Sequence, residues 1–271
     1  MAGYRNRFLG RALYDVLNEV ERGLRSLLSR PASLVMGMIS APLWLAFFVL
    51  SLEGYGLSLG GLTIQLLIWI SYSFSLYSTW LWEFGQGMLD EHQDGVLEYV
   101  MGSGSSLFRH VMGSGLALLI YTVLDLAVIL ASFAAVFRVE PTIMDPAAFF
   151  ISVVMASLSL LSLASIYAIM VAGLRSSWVV TDVLQFILPA VGGLLPSEFS
   201  PAIRLINEYS PLAYPFVLMR ESATGVNELG IPIQLQLAYS LIFTAIMLGA
   251  AWLILGKADE RLRRTGSLGL R

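Results

Sequence analysis

Six long apolar runs, at roughly 32–52, 57–82, 107–137, 147–173, 178–195 and 235–256, constrain this chain more than any other feature. Each is bounded by charges, prolines or glycines, and each approaches or exceeds the ~20 residues a helix needs to cross a ~30 Å hydrocarbon layer. One water-soluble core cannot absorb that much apolar surface: 57% of the residues are hydrophobic and 13% charged, against about 45–50% and about 25% in a soluble domain. With a mean hydropathy of +0.75, the first partner is the lipid bilayer. The pattern predicts an all-α integral membrane protein with six transmembrane helices. The fifth run is the shortest and carries Asp182, Gln185 and Pro189. It reads as tilted, broken or continued by a re-entrant piece, and five spans are the alternative count.

Charge sets the orientation, because short cytoplasmic loops are enriched in Lys and Arg. With six spans, 13 of the 16 basic residues fall on the face that holds both termini, Arg109 and Arg175, and Arg138, Arg204 and Arg220 fall on the other. Both ends are therefore expected in the cytoplasm of a multi-pass cell-membrane protein. The first apolar run follows a charged segment too long for an ordinary signal peptide, so it reads as a retained anchor.

Ahead of that run, Phe8, Leu13, Leu17, Val20, Leu24 and Leu27 recur at helical spacing opposite a face of Arg5, Arg11, Glu19, Arg22 and Arg25. Residues 3–30 read as an amphipathic helix on the cytoplasmic headgroups, ended by Pro31; a soluble helix packing on a partner is the alternative. Two loops are larger than a connection requires. The cytoplasmic one, 83–107, sets Glu83, Asp90, Glu91, Asp94 and Glu98 beside an apolar group including Met88, Leu89 and Leu97, as a short docking helix would. The external one, 196–234, holds five prolines among apolar residues, and two short helices, half inserted in the outer leaflet or capping the bundle, are expected.

Several chemistries are excluded. There is no cysteine, and the two histidines, His92 and His110, form no metal-ligand pattern. The triplets Gly102-Ser103-Gly104 and Gly113-Ser114-Gly115 are not a GxSxG elbow and read as helix-packing sites. The sole lysine, Lys257, precedes Ala258, so no P-loop exists. The chain reads as no enzyme and binds no cofactor itself; nucleic acid is not an expected partner. Ionisable groups inside spans are functional candidates. Asp125, midway along the third run, reads either as part of a polar pathway or as a structural acid bonded to a neighbouring hydroxyl. Arg175 and Asp182, seven apart, read as a pair on one helical face, and the serines of the fourth run as packing residues.

The acidic loop reads Glu91-His92-Gln93-Asp94-Gly95-Val96-Leu97-Glu98, then Ser105-Ser106-Leu107-Phe108. It resembles the type-2 ATP-binding-cassette (ABC) permeases, whose members carry a Glu-Arg-Glu-x-Gly-Thr-Leu-Glu-like stretch here. Glu91, Gly95, Leu97 and Glu98 match, while His92, Gln93 and Val96 depart. Gly192-Gly193-Leu194-Leu195-Pro196, followed by Ser210-Pro211-Leu212-Ala213-Tyr214 and Arg220, is similar to the family's glycine-proline exit from the fifth span and the signature after it.

The resemblance spans essentially the whole chain and implies one permease domain: an interfacial helix (3–30), a six-span bundle (32–256) and a cytoplasmic tail (257–271). It implies an exporter subunit paired with a second permease chain, identical or homologous, each docked on a separate ABC ATPase subunit that holds ATP and Mg. Glu91, Gly95, Leu97 and Glu98 would form the coupling helix, and Gly192, Gly193, Pro196, Pro211 and Tyr214 an external re-entrant cap. Glu83, Tyr72, Tyr77 and Asp125 are the candidates for the pathway or its gate. A secondary transporter or channel using Asp125 is the second reading and a non-transporting scaffold the third.

Overall fold

A computed structural model of the chain describes residues 2–29, 31–54, 60–102, 104–138, 140–172 and 177–265. Among them every regular element is helical: α1 (Ala2–Ser29), α2 (Pro31–Gly54), α3 (Gly61–Thr79), a π-helical segment (Trp80–Gln86), α4 (Gly87–Gln93), α5 (Val96–Gly102), α6 (Leu107–Phe137), α7 (Pro146–Val171), α8 (Ser177–Val191), α9 (Pro201–Tyr209), α10 (Ala213–Thr224) and α11 (Ile233–Thr265). Three of these, α6, α7 and α11, are long and apolar enough to cross a membrane; α8 is a shorter apolar helix.

The helix boundaries follow local chemistry. Ser106 and Asp145, both in extended conformation, cap α6 and α7 by accepting from the N–H groups of Arg109 and Ala148, and Pro146 occupies the first turn of α7. Arg138 closes α6 in a left-handed conformation. The serines of α7 face inward. Ser152, Ser162 and Ser165 donate to carbonyls of their own helix, and Ser159 lies 3.0 Å from Thr244 of α11. They are buried where α7 packs against its neighbours.

Two connections differ from the sequence expectation. The second apolar run does not stop at residue 82: its helix passes through the π-helical segment into α4, so Glu83 lies on a helix rather than in a loop. The sixth run does not stop at Gly256 either. Helix α11 continues to Thr265 with Ala258 and Leu262 buried, so the first nine residues of the expected tail extend the bundle. The proposed Arg175–Asp182 pair lies outside the described residues at Arg175; Asp182 itself is exposed.

Helix α1 packs along the opening turns of α6. A Cβ on Gly23 would meet Ala117 Cβ at 2.8 Å, and one on Gly113 would collide with Glu19 and approach the Val16 carbonyl at 3.1 Å. The two helices therefore run in the same direction and approach through glycine. The core lies between α3, α6, α7 and α10, where Trp69, Tyr72, Tyr77, Phe133, Phe149 and Phe216 are almost completely buried.

Candidate functional site

The end of the bundle that carries α1 also carries the α4–α5 hairpin, the start of α6 and the end of α11. The hairpin turns at Gly95, whose φ of +74° is the left-handed conformation glycine adopts without strain. Asp94 N–H donates to Asp90 O at 2.9 Å and Gly95 N–H to His92 O at 3.2 Å. Leu97 is completely buried and seats the hairpin on the core. Glu98 faces His92, Oε1 to Nδ1 at 3.0 Å. Tyr99, one position on, is 81% exposed. The loop is thus a fixed knuckle with an aromatic ring and the exposed Asp90, Gln93 and Asp94 on its surface.

Neighbouring helices hold the knuckle and the segment that follows it. Arg263 of α11 donates to Ser105 O at 2.8 Å, and Leu107 N–H reaches Asp259 Oδ1 at 3.4 Å. On the other side His110, with only 2% of its side chain exposed, lies between two carboxylates: Nδ1 is 2.9 Å from Glu19 of α1 and Nε2 is 2.8 Å from Glu91 of α4. Arg22 joins the same group, with Nε 3.1 Å from Glu19 and Nη2 3.4 Å from Glu91. The hydrogen bond to His110 holds the Glu19 carboxyl below the usual carboxylate range. Of these four residues the sequence singles out Glu91 for the site; Glu19 and Arg22 read as part of a polar helix face, and His110 as a histidine without metal partners.

Between α1, the π-helical segment, α4 and α6 opens a cavity of about 730 Å³. Trp82, Phe84 and Tyr121 supply aromatic walls, Glu83, Asp90, Glu91 and Asp94 a negative rim, and His110 part of the wall. π-helical turns inside α-helices concentrate at functional sites because the extra residue re-aims side chains; here it passes beside the cavity. Glu83 is therefore a lining residue. Tyr72 and Tyr77 are not: both are completely buried, Tyr72 donating to Thr122 O at 3.3 Å and Tyr77 to Gly192 O at 2.8 Å. Asp125 is 2% exposed and accepts from Ser75 Oγ at 2.6 Å, while its Oδ1 has no partner among the described residues. It lies one turn beyond Tyr121 on α6.

At the opposite end the segment after α8 folds as a built cap. Gly192 permits the close approach of Tyr77, and Gly193, at φ +82°, lies so near Ala213 that a Cβ would meet its backbone at 2.9 Å. Arg220, fully buried, donates Nε and Nη2 to the two oxygens of Glu228, each at 2.8 Å, and Nη1 to Gly193 O. Glu228 also accepts from Ser197 N–H at 3.1 Å, and Glu221 accepts from the Glu228 and Leu229 N–H groups at 2.7 and 3.2 Å and from Gln236 at 2.7 Å. Pro196 is buried in the turns before α9, and Pro211 is exposed in the turn before α10. Tyr214 donates to Glu208 O at 2.8 Å and packs against Tyr239. The sequence points to Arg220 as an external basic residue and as a member of a signature. Glu221 and Glu228 are not singled out, because both follow the arginine in a mostly polar segment, 220–228, that carries no sign of a buried network.

Among the described residues no group of three or more His, Asp or Glu side chains is placed to hold a metal ion. Compared with protein-family models, curated proteins and solved structures, the chain matches none of them.

Proposed function

We propose that the chain is the membrane-spanning permease subunit of an ATP-driven exporter of the type-2 ABC class, docking a separate ATPase subunit and forming the pathway with a second permease chain. The observation that carries this reading is the α4–α5 knuckle. It projects an exposed tyrosine and acidic groups, yet is tied to α1 and α6, and α11 holds the segment that joins it to α6. Such a knuckle can pass a push from a docked partner to several long helices at once as a rigid-body displacement.

In this reading six segments cross the cell membrane: α2, α3 with the π-helical segment, α6, α7, α8 and α11. Both termini are cytoplasmic. Support comes from the helix ends, since α1, the knuckle and the end of α11 share one end of the bundle while the cap and the α6–α7 turn share the other. The cavity beside Glu83 and Tyr121 serves as the inner vestibule of the pathway. ATP and Mg belong to the partner.

Purification with the products of neighbouring genes tests the proposal. An ATPase is expected to co-purify, and Gly95→Trp, which forces a large side chain onto a left-handed turn, is expected to distort the knuckle and abolish transport-linked ATP hydrolysis. If no ATPase associates, the exporter reading fails. The unpartnered Oδ1 of Asp125 favours a second reading, a proton-linked secondary transporter. Uptake in vesicles lacking ATP, lost in Asp125→Asn, would establish that alternative.

A further inference from the structure

The arrangement around His110 contains more than a structural tie. Its two ring nitrogens face two carboxylates on two different elements, Glu19 of α1 and Glu91 of α4. Ionised carboxylates only accept hydrogen bonds, and a neutral imidazole carries a single N–H, so both contacts are made at once only by the imidazolium. The net charge supports that form: with Glu19, Glu91 and Arg22 ionised, a protonated His110 brings the group to zero. Arg22 Nη2, however, lies 2.9 Å from the same Nδ1 and 3.3 Å from Nε2. A group that near both nitrogens sits over the face of the ring, and the in-plane direction of Nδ1 is left to Glu19. The guanidinium charge is nearer Nδ1, so Nδ1 is the nitrogen whose proton it disfavours.

We propose that His110 is a positioning residue that acts as a proton-operated junction between α1 and the α4–α5 knuckle. As imidazolium it bonds Glu19 and Glu91 together; when the Nδ1 proton leaves through the adjoining cavity, the ring keeps Glu91, loses its bond to Glu19, and loosens α1 from the knuckle. The proton passes to water, and no bond between heavy atoms changes. Arg22 still spans Glu19 and Glu91 in the neutral form, so the junction slackens without separating. The remaining charged groups lie to either side. Glu83, Asp90 and Asp94 rim the cavity, Glu21 and Arg25 pair on the outer face of α1, Arg109 is the neighbour on α6, Glu98 pairs with His92, and Asp259 and Arg263 of α11 hold the first turn of α6. Helix α7 carries no charged residue. The junction does not depend on what the chain transports or on which partner it docks.

The experiment uses the full chain in lipid nanodiscs. His92→Gln leaves His110 as the single histidine, so imidazole 15N resonances report the protonation of each ring nitrogen from about pH 5 to about pH 9. The chain has no cysteine, so nitroxides at Asn18→Cys and Gln93→Cys, both exposed, report the α1–α4 distance over the same range. The expected result is that Nδ1 alone loses its proton within that range and the distance distribution broadens at the same pH. In Glu19→Gln the transition moves to lower pH, because the imidazolium has lost one of its carboxylates; in His110→Gln the distance no longer depends on pH. A ring that holds one protonation state throughout overturns the proposal, as does a distance that ignores the titration or keeps its pH dependence in His110→Gln. The wild-type titration decides the matter even if a variant fails to fold, and since neither readout involves ATP or substrate, the outcome is separate from that of the transport assay.

Discussion

Arg220 and Glu228 have side chains 0% and 1% exposed, and two charges so placed persist only if each loses no hydrogen bond on burial. The cap meets that condition. Both guanidinium faces are used by Glu228 and by the carbonyls at 193–195, and the second carboxylate, Glu221, is occupied by two backbone N–H groups and Gln236. Removing one partner strands the other, so Arg220→Met is expected to destabilise the fold by about 3–5 kcal/mol, seen as a lower unfolding temperature in detergent. Adding Glu228→Gln should return part of that loss; a double variant no more stable than the single one would show that the carboxylate is not the stranded charge. Asp125 is the contrasting case, with one hydroxyl partner and one bare oxygen in an otherwise apolar helix. A group incompletely satisfied in this way is where function rather than stability is expected to reside.

At the scale of elements, glycine determines where helices stop and how closely they approach, and its effect depends on position. Gly193 combines φ +82° with backbone at 2.9 Å, whereas Gly249, within α11, has open space around its Cα. Gly193→Ala is therefore expected to unfold the cap by at least about 1–2 kcal/mol, while Gly249→Ala should be neutral or stabilising by up to about 1 kcal/mol. Thermal unfolding of the two variants side by side checks this; equal effects would mean that the turn after α8 is not the constraint described. That turn also explains why the fifth apolar run looks too short for a span. Helix α8, at 15 residues, covers about 22 Å, and the chain then bends at Gly192 and Gly193 into the cap instead of continuing straight.

At the scale of the whole molecule, the helix ends sort into two groups. Asn18 and Lys257 are exposed at the α1 end and Asn227 at the cap end. In intact cells a membrane-impermeant thiol reagent is expected to label Asn227→Cys and to leave Asn18→Cys and Lys257→Cys untouched until the membrane is opened, with no background because the chain has no cysteine. Labelling of all three from outside would overturn the proposed orientation.

Periodicity and composition were sufficient for the parts of this protein that depend on one residue's neighbours along the chain. The apolar runs became helices because an apolar segment must bond its own backbone in lipid. The amphipathic start became α1, whereas the acidic loop, read as one short helix, is broken into α4 and α5 at Gly95, whose left-handed conformation suits glycine. What depends on side chains far apart in sequence was not legible in this way. Glu19, Arg22 and His110 look like ordinary solvated or idle groups until α1 lies on α6 through Gly23 and Gly113, and the hydroxyl partners of Tyr72 and Tyr77, the carbonyls of Thr122 and Gly192, are known only once the helices are packed. Hydrophobicity along the chain determines which segments enter the bilayer. Only the packing of those segments decides which polar groups meet inside it, because a buried charge is tolerable only where another element brings its partner.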